Sequence, residues 1–165
     1  MTWTYAAEGT PKMAVRGDVS CLADPIAQEL LTSRIPARLA YTWSDGTPRV
    51  GPIWFHWDGA QIVVASPPRA PKLIVLDTGD PVALSIDSND WPYRVLSIRG
   101  VASVKQVNGV PAEYAAAARR YLGDEQGGAI VDSFPLDVVT YRIAVTPTWA
   151  NILDFETRFP SAFPG

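Results

Sequence analysis

Residues 38–87 read RLAYTWSDGTPRVGPIWFHWDGAQIVVASPPRAPKLIVLDTGDPVALSID, and this stretch decides the fold. Residues 37–43 form a run of strand-compatible side chains that ends at Ser44-Asp45-Gly46-Thr47, a hairpin turn signal. A second strand is expected over 49–57, and Asp58-Gly59 turns it into a third over 61–65. The three antiparallel strands lead into a basic crossover, Ser66-Pro67-Pro68-Arg69-Ala70-Pro71-Lys72. The stretch 72–76 is short and β-branched, and one or two helical turns are placed there before Pro81 opens a further strand over 82–87. A cationic segment between two strands is somewhere to hold an anion.

That site has to be local. The chain carries a net charge of −3 and a pI near 5.1, without the basic excess that nucleic-acid backbones require, so no nucleic-acid partner is expected. At 165 residues, 47% hydrophobic and 19% charged, the composition suits one compact domain with a sizeable core. Cys21 is the only cysteine and His56 the only histidine, which rules out an intrachain disulfide and a Cys/His zinc cluster; no metal is expected. Neither a leader pattern nor a bilayer-length apolar run is present, so a soluble cytoplasmic protein without membrane association is expected.

Working outward, residues 1–22 lack periodicity and read as an extended arm. Asp24 is placed as the N-cap of a short helix with Pro25 at its first position, running to Ser33. Residues 94–106 read as a long strand ended by Asn108-Gly109. Residues 111–122 are the clearest helix, with Gly123 at C′; Tyr114, Ala118 and Tyr121 share a stripe, and Arg119 and Arg120 are expected to face water. A short helix over 124–132 and a last strand over 137–145, resuming at 149–153, complete the chain. With no β-α-β alternation, the expected class is mainly β (α+β), a closed barrel of about six antiparallel strands with short flanking helices. The expected organisation is an arm (1–22), a barrel domain (23–153), and a tail (154–165) folded over a barrel end or a neighbouring subunit.

Taken alone, Arg69 and Lys72 are more readily explained by solvation of a loop than by anion binding. Gly51 and Pro52 in mid-strand fit either an edge strand or a strand closely approached by a ligand. His56 has no pattern that makes it an acid or base, Cys21 reads as structural, and no residue is assigned to catalysis.

The order hairpin, hairpin, basic crossover, strand resembles the split β-barrel flavoproteins of the pyridoxamine 5′-phosphate oxidase-like superfamily. The likeness rests on Pro36-Ala37-Arg38-Leu39-Ala40 with Asp45-Gly46-Thr47-Pro48-Arg49-Val50-Gly51-Pro52-Ile53-Trp54-Phe55. It rests further on Ser66 through Lys72 with Leu76 and Asp80-Pro81-Val82-Ala83-Leu84, and on Ser97-Ile98-Arg99-Gly100-Val101-Ala102. The resemblance implies a homodimer with flavin sites at the interface. It implies Arg49, Val50, Gly51, Pro52, Ile53 and Trp54 along the isoalloxazine ring, and Ala65, Ser66, Arg69 and Lys72 at the phosphate. It also implies a second wall from the other subunit's 90–94 loop, with Trp91 and Arg94. Pro71 stands where many relatives have arginine. The implied activity is an FMN-dependent oxidoreductase acting on a small molecule, with the deazaflavin coenzyme F420 as the alternative cofactor. A non-catalytic flavin-binding or carrier protein is a further alternative, and a cofactor-free β-domain acting through its aromatic surface another. A second basic cluster for a substrate phosphate is missing, which argues against pyridoxamine phosphate itself.

Overall fold

The computed structural model describes residues 17–157. Seven strands, all paired antiparallel, make one sheet: β1 (Ala37–Thr42), β2 (Pro48–Ile53), β3 (His56–Trp57), β4 (Ile62–Ser66), β5 (Pro81–Asp87), β6 (Arg94–Asn108) and β7 (Val139–Asp154). Their spatial order is β2-β1-β5-β6-β7-β4-β3, so the two edge strands follow one another in the chain. Laid flat, seven strands would separate those edges by about 29 Å. The step from Ile53 to His56 reaches at most about 11 Å. The sheet therefore curls so that its edges approach at the Ile53–His56 step, and the result is a barrel split at a seam between β2 and β3, which stay unpaired with each other.

Alternation puts one side of each strand inside. On β5, Val82, Leu84 and Ile86 are buried between the more exposed Pro81, Ala83, Ser85 and Asp87. Leu96, Ile98 and Ala102 of β6 and Ile143, Val145 and Ala150 of β7 join them, and Phe55 from the seam is fully buried. Helix α1 (Pro25–Thr32) closes one end through Ala27, Leu30 and Leu31; the Asp24 carboxylate caps it by accepting from the Ile26 N–H at 2.9 Å. Helices α2 (Ala112–Leu122) and α3 (Asp124–Asp132) form a pair, with Gly123 at φ +88° between them donating its N–H to the Arg119 carbonyl. Among the described residues no helix is long and apolar enough to cross a membrane, and no group of three or more His, Cys, Asp or Glu side chains is placed to hold a metal ion.

Four expectations need correction. The strand expected over 49–57 breaks at Trp54-Phe55 into β2 and β3, which raises the count from six strands to seven. The last strand is continuous from Val139 to Asp154, because its long partner β6 pairs along its whole length with a single irregularity at Arg99/Gly100. Within the expected arm, Val19–Ala23 forms a 3₁₀ turn whose Asp18 carboxylate accepts from the Ser20 N–H at 2.8 Å. Arg120 does not face water, as described below. Residues 1–16 of the arm and 158–165 of the tail lie outside the described residues.

Candidate functional site

The basic crossover begins where β4 ends. Ser66 closes that strand in register with Tyr141 of β7 and is buried. Pro67 starts a turn closed by the Ala70 N–H on its carbonyl at 3.0 Å, and Pro71–Ile74 winds into a 3₁₀ turn. This winding returns Lys72 toward the strand, and its Nζ donates to Ser66 Oγ at 3.1 Å. No ion pair with a carboxylate forms at Lys72 among the described residues. Burial holds its pKa below the ordinary lysine value. A half-buried ammonium has three donors, and Ser66 accepts one. The pair thus has donor capacity left over among the described residues. Arg69 stands exposed on the turn between them, and Ala65 precedes Ser66 half-buried on β4.

The second part is β2, an outermost strand hydrogen-bonded only to β1. Its position explains Pro48 and Pro52, since an edge strand tolerates residues that cannot donate to a ladder. Arg49, Val50 and Pro52 are exposed, Val50 at 71%, while Gly51 and Ile53 are half-buried. Arg49 lies over the Trp43 ring, 4.7 Å from its centroid. Gly51 has no positive φ, and a Cβ built on it would meet no atom within 4 Å. Neither backbone conformation nor packing among the described residues calls for glycine there, and the space in front of it is open.

The other expected site residues have different neighbours. Trp54 leaves the strand and stacks on Tyr121 of α2, centroids 5.0 Å apart and planes 10° off parallel. Arg94 is surrounded by carboxylates: Glu29 at 2.8 Å, Glu156 at 2.6 Å and the buried Asp154 at 3.9 Å. The Glu156 hydrogen bond and these charges raise its already high pKa. Trp91 is 63% exposed and packs edge-on against Tyr93 at 5.4 Å, with Phe155 at 5.7 Å, so the first residue of the expected tail that follows β7 covers this loop.

Sequence reading did not find the side chains that hold this corner. Arg120 reaches back from α2, donating to the Leu31 carbonyl at 3.3 Å and to the Phe55 carbonyl, with its guanidinium over the Phe55 and Tyr121 rings. Arg142 of β7 pairs with Glu113 at 2.8 Å. Burial alone would raise the Glu113 pKa, but its own backbone hydrogen bond and Arg142 outweigh that and lower it. These contacts span tens of residues in sequence, and no local spacing signals them.

No protein-family model matches the sequence, and no curated protein matches it. Solved structures do match. One described as an F420 reductase is 28% identical, with 75% of this chain and 94% of that chain covered and a TM-score of 0.57. An FAD- and heme-binding protein from Mycobacterium smegmatis is 21% identical over 81% of this chain and 72% of that one, TM-score 0.56. A protein from Clostridium acetobutylicum related to general stress protein 26 of B. subtilis, of the pyridoxinephosphate oxidase family, is 16% identical over 82% and 89%, TM-score 0.55. The chain has the split β-barrel fold of the pyridoxamine 5′-phosphate oxidase-like superfamily.

Proposed function

We propose that this protein is an oxidoreductase that binds a phosphate-bearing flavin-type cofactor, FMN in the first instance, and acts on a small molecule. The observation that carries the reading is the Lys72–Ser66 pair: a half-buried cation with donors to spare, on a buried hydroxyl, at the end of a strand. A phosphate monoester fits that donor set by charge and geometry. Arg69, one exposed turn away, can add a second cation or leave the work to Lys72; Pro71 contributes no donor. Along the ring, β2 offers unpaired backbone groups, chiefly carbonyls, at its open edge, and the space in front of Gly51 lets a flat ring approach them.

When bound, such a cofactor supplies hydride or electron transfer at its ring. The chain's own contribution is to anchor the phosphate through Lys72 and Ser66, to orient the ring edge along Arg49–Ile53, and to hold the strand through Arg120 and the Trp54–Tyr121 stack. No side chain of the described site is needed as acid, base or nucleophile.

A second reading, in which the cofactor is coenzyme F420, is favoured by the 28% identity to the structure described as an F420 reductase. Both readings include a homodimer. The support is the exposure of Val50 at 71%, on an unpaired edge, and of Trp91 at 63%, both large apolar groups that a second copy would cover. Separate titrations of purified protein with FMN and with F420, followed by absorbance, test the cofactor. Reduction of the bound cofactor by NAD(P)H or by an F420-reducing system separates an enzyme from a carrier that binds without turnover. A protein that binds neither, at wild-type stability, would leave the aromatic-surface alternative.

A further inference from the structure

We infer that the cleft walled by Ser66, Pro67, Pro111, Tyr114, Phe134 and Val139 binds an uncharged, ring-containing small molecule with one hydrogen-bond acceptor, of the class of an aryl ketone. The cleft lies between the end of β4, the start of β7 and the first turn of α2, and holds about 300 Å³. That is the lower end of the range for small-molecule sites and about twice an apolar cavity that accepts benzene. None of its lining residues is charged. A cationic guest would surrender its hydration without gaining a counter-ion. The one cation near the cleft, Lys72, is not in its lining and borders it only through Ser66 Oγ, 3.1 Å away, so an anionic guest gains no direct ion pair either and a neutral ligand is favoured.

The acceptor preference comes from Tyr114. Thr140 Oγ1 already donates to the Gly109 carbonyl at 2.7 Å; Ser66 Oγ accepts from Lys72 Nζ, which leaves its O–H as a further donor at the edge shared with the phosphate site. The Tyr114 hydroxyl makes no hydrogen bond among the described residues. Its ring is fixed by Phe134, edge-on at 5.8 Å, with Trp54 at 6.4 Å. Burial raises its pKa, so the phenol keeps its proton and remains a donor at neutral pH. A positioned donor in an apolar wall is what fixes the orientation of a small guest. Ser66 is shared with the phosphate site, so the guest lies beside it. The guest's role as substrate rests on the oxidoreductase reading; its binding does not.

Acetophenone is the probe, titrated into the full chain and followed by ¹H–¹⁵N NMR. Saturable shifts are expected at Tyr114, Phe134, Val138 and Val139. Tyr114→Phe should weaken binding about fivefold, the worth of one neutral hydrogen bond. Val139→Trp, which fills the cleft, should abolish binding; thermal melts of both variants show whether they are folded, and Tyr114→Phe decides the matter if Val139→Trp is not. Unsaturable or scattered shifts, or an unchanged affinity in Tyr114→Phe, would overturn the inference. So would benzoate binding more tightly than acetophenone, which would hand the cleft to an anion of Lys72. If acetophenone binds as expected while neither FMN nor F420 does, the cofactor reading fails and the cleft stands.

Discussion

Replacing Lys72 with methionine keeps most of the side-chain volume and removes the charge. The folded chain holds this ammonium half-buried with Ser66 Oγ as its hydrogen-bond partner, 3.1 Å away. A hydrogen bond from a charged donor to a phosphate is worth about 1.5–3 kcal/mol, so Lys72→Met should weaken FMN or F420 binding about 10- to 150-fold. The cofactor-free protein should respond in the other direction or hardly at all. Burial lowers the Lys72 pKa in the folded state, so the folded chain binds this proton less tightly than the unfolded chain. Stability of the wild type therefore rises with pH as it passes from the folded value toward the ordinary lysine value of 10.5, and the methionine variant lacks that rise. At neutral pH the variant sheds a desolvated charge but leaves the buried Ser66 hydroxyl without its donor, so the two effects should leave stability within about 1 kcal/mol of wild type. Adding Ser66→Ala removes both partners and should recover any loss. Cofactor affinity by absorbance titration and unfolding by urea, measured on the same samples, check both halves. A variant that binds cofactor as tightly as wild type, or that unfolds several kcal/mol earlier without cofactor, would show that Lys72 is structural and refute the reasoning.

Three further outcomes follow from individual residues. Gly51→Ala meets open space and should leave cofactor-free stability within about 0.5 kcal/mol while reducing cofactor affinity at least tenfold; calorimetry and titration on one preparation separate the two. Gly100→Ala is the opposite case, since a Cβ there would lie 2.5 Å from the Thr146 carbonyl oxygen and 2.6 Å from Val145 Cγ1, at the irregular β6–β7 step; urea unfolding should show a loss of about 1–3 kcal/mol. The Asp154 pKa is lowered below 3.8 chiefly by the Thr157 hydroxyl, with burial opposing, so its stabilisation is full above pH 3.8 and lost as pH falls through the lower folded value. Asp154→Asn should lower the melting temperature at neutral pH and flatten the acid side of the stability profile.

The elements that were readable in sequence are those set by local chemistry. Both Asp-Gly hairpins formed as read, with the Asp45 and Asp58 carboxylates accepting from backbone N–H groups of Thr47 and of Ala60 and Gln61. The Asp24 cap, the Gly123 stop and the short turn at Lys72 are equally local. Ser66 and Lys72 are six residues apart in one short crossover, so sequence alone could group them, though not their direct hydrogen bond. The misreadings have a different cause. Nothing between Arg49 and Trp57 announces that the strand breaks at Trp54; the break is fixed by Tyr121 and Arg120, more than sixty residues later. Arg120 itself looked solvent-facing because a helix stripe shows which side is apolar, not that a guanidinium will find a carbonyl and two rings. Arg94, expected on the second wall, has carboxylate partners that no local pattern shows, since they come from α1 and from the end of β7 and the residues after it.

If the Lys72–Ser66 corner and the open edge of β2 hold a flavin-type ring by its phosphate, the small molecule released from the purified protein will show it in its absorption spectrum and mass, repeated on Lys72→Met. FMN or F420 is expected from the wild type, at close to one per chain, and little or none from the variant. A heme, or no chromophore together with no binding of either cofactor on addition, would contradict it.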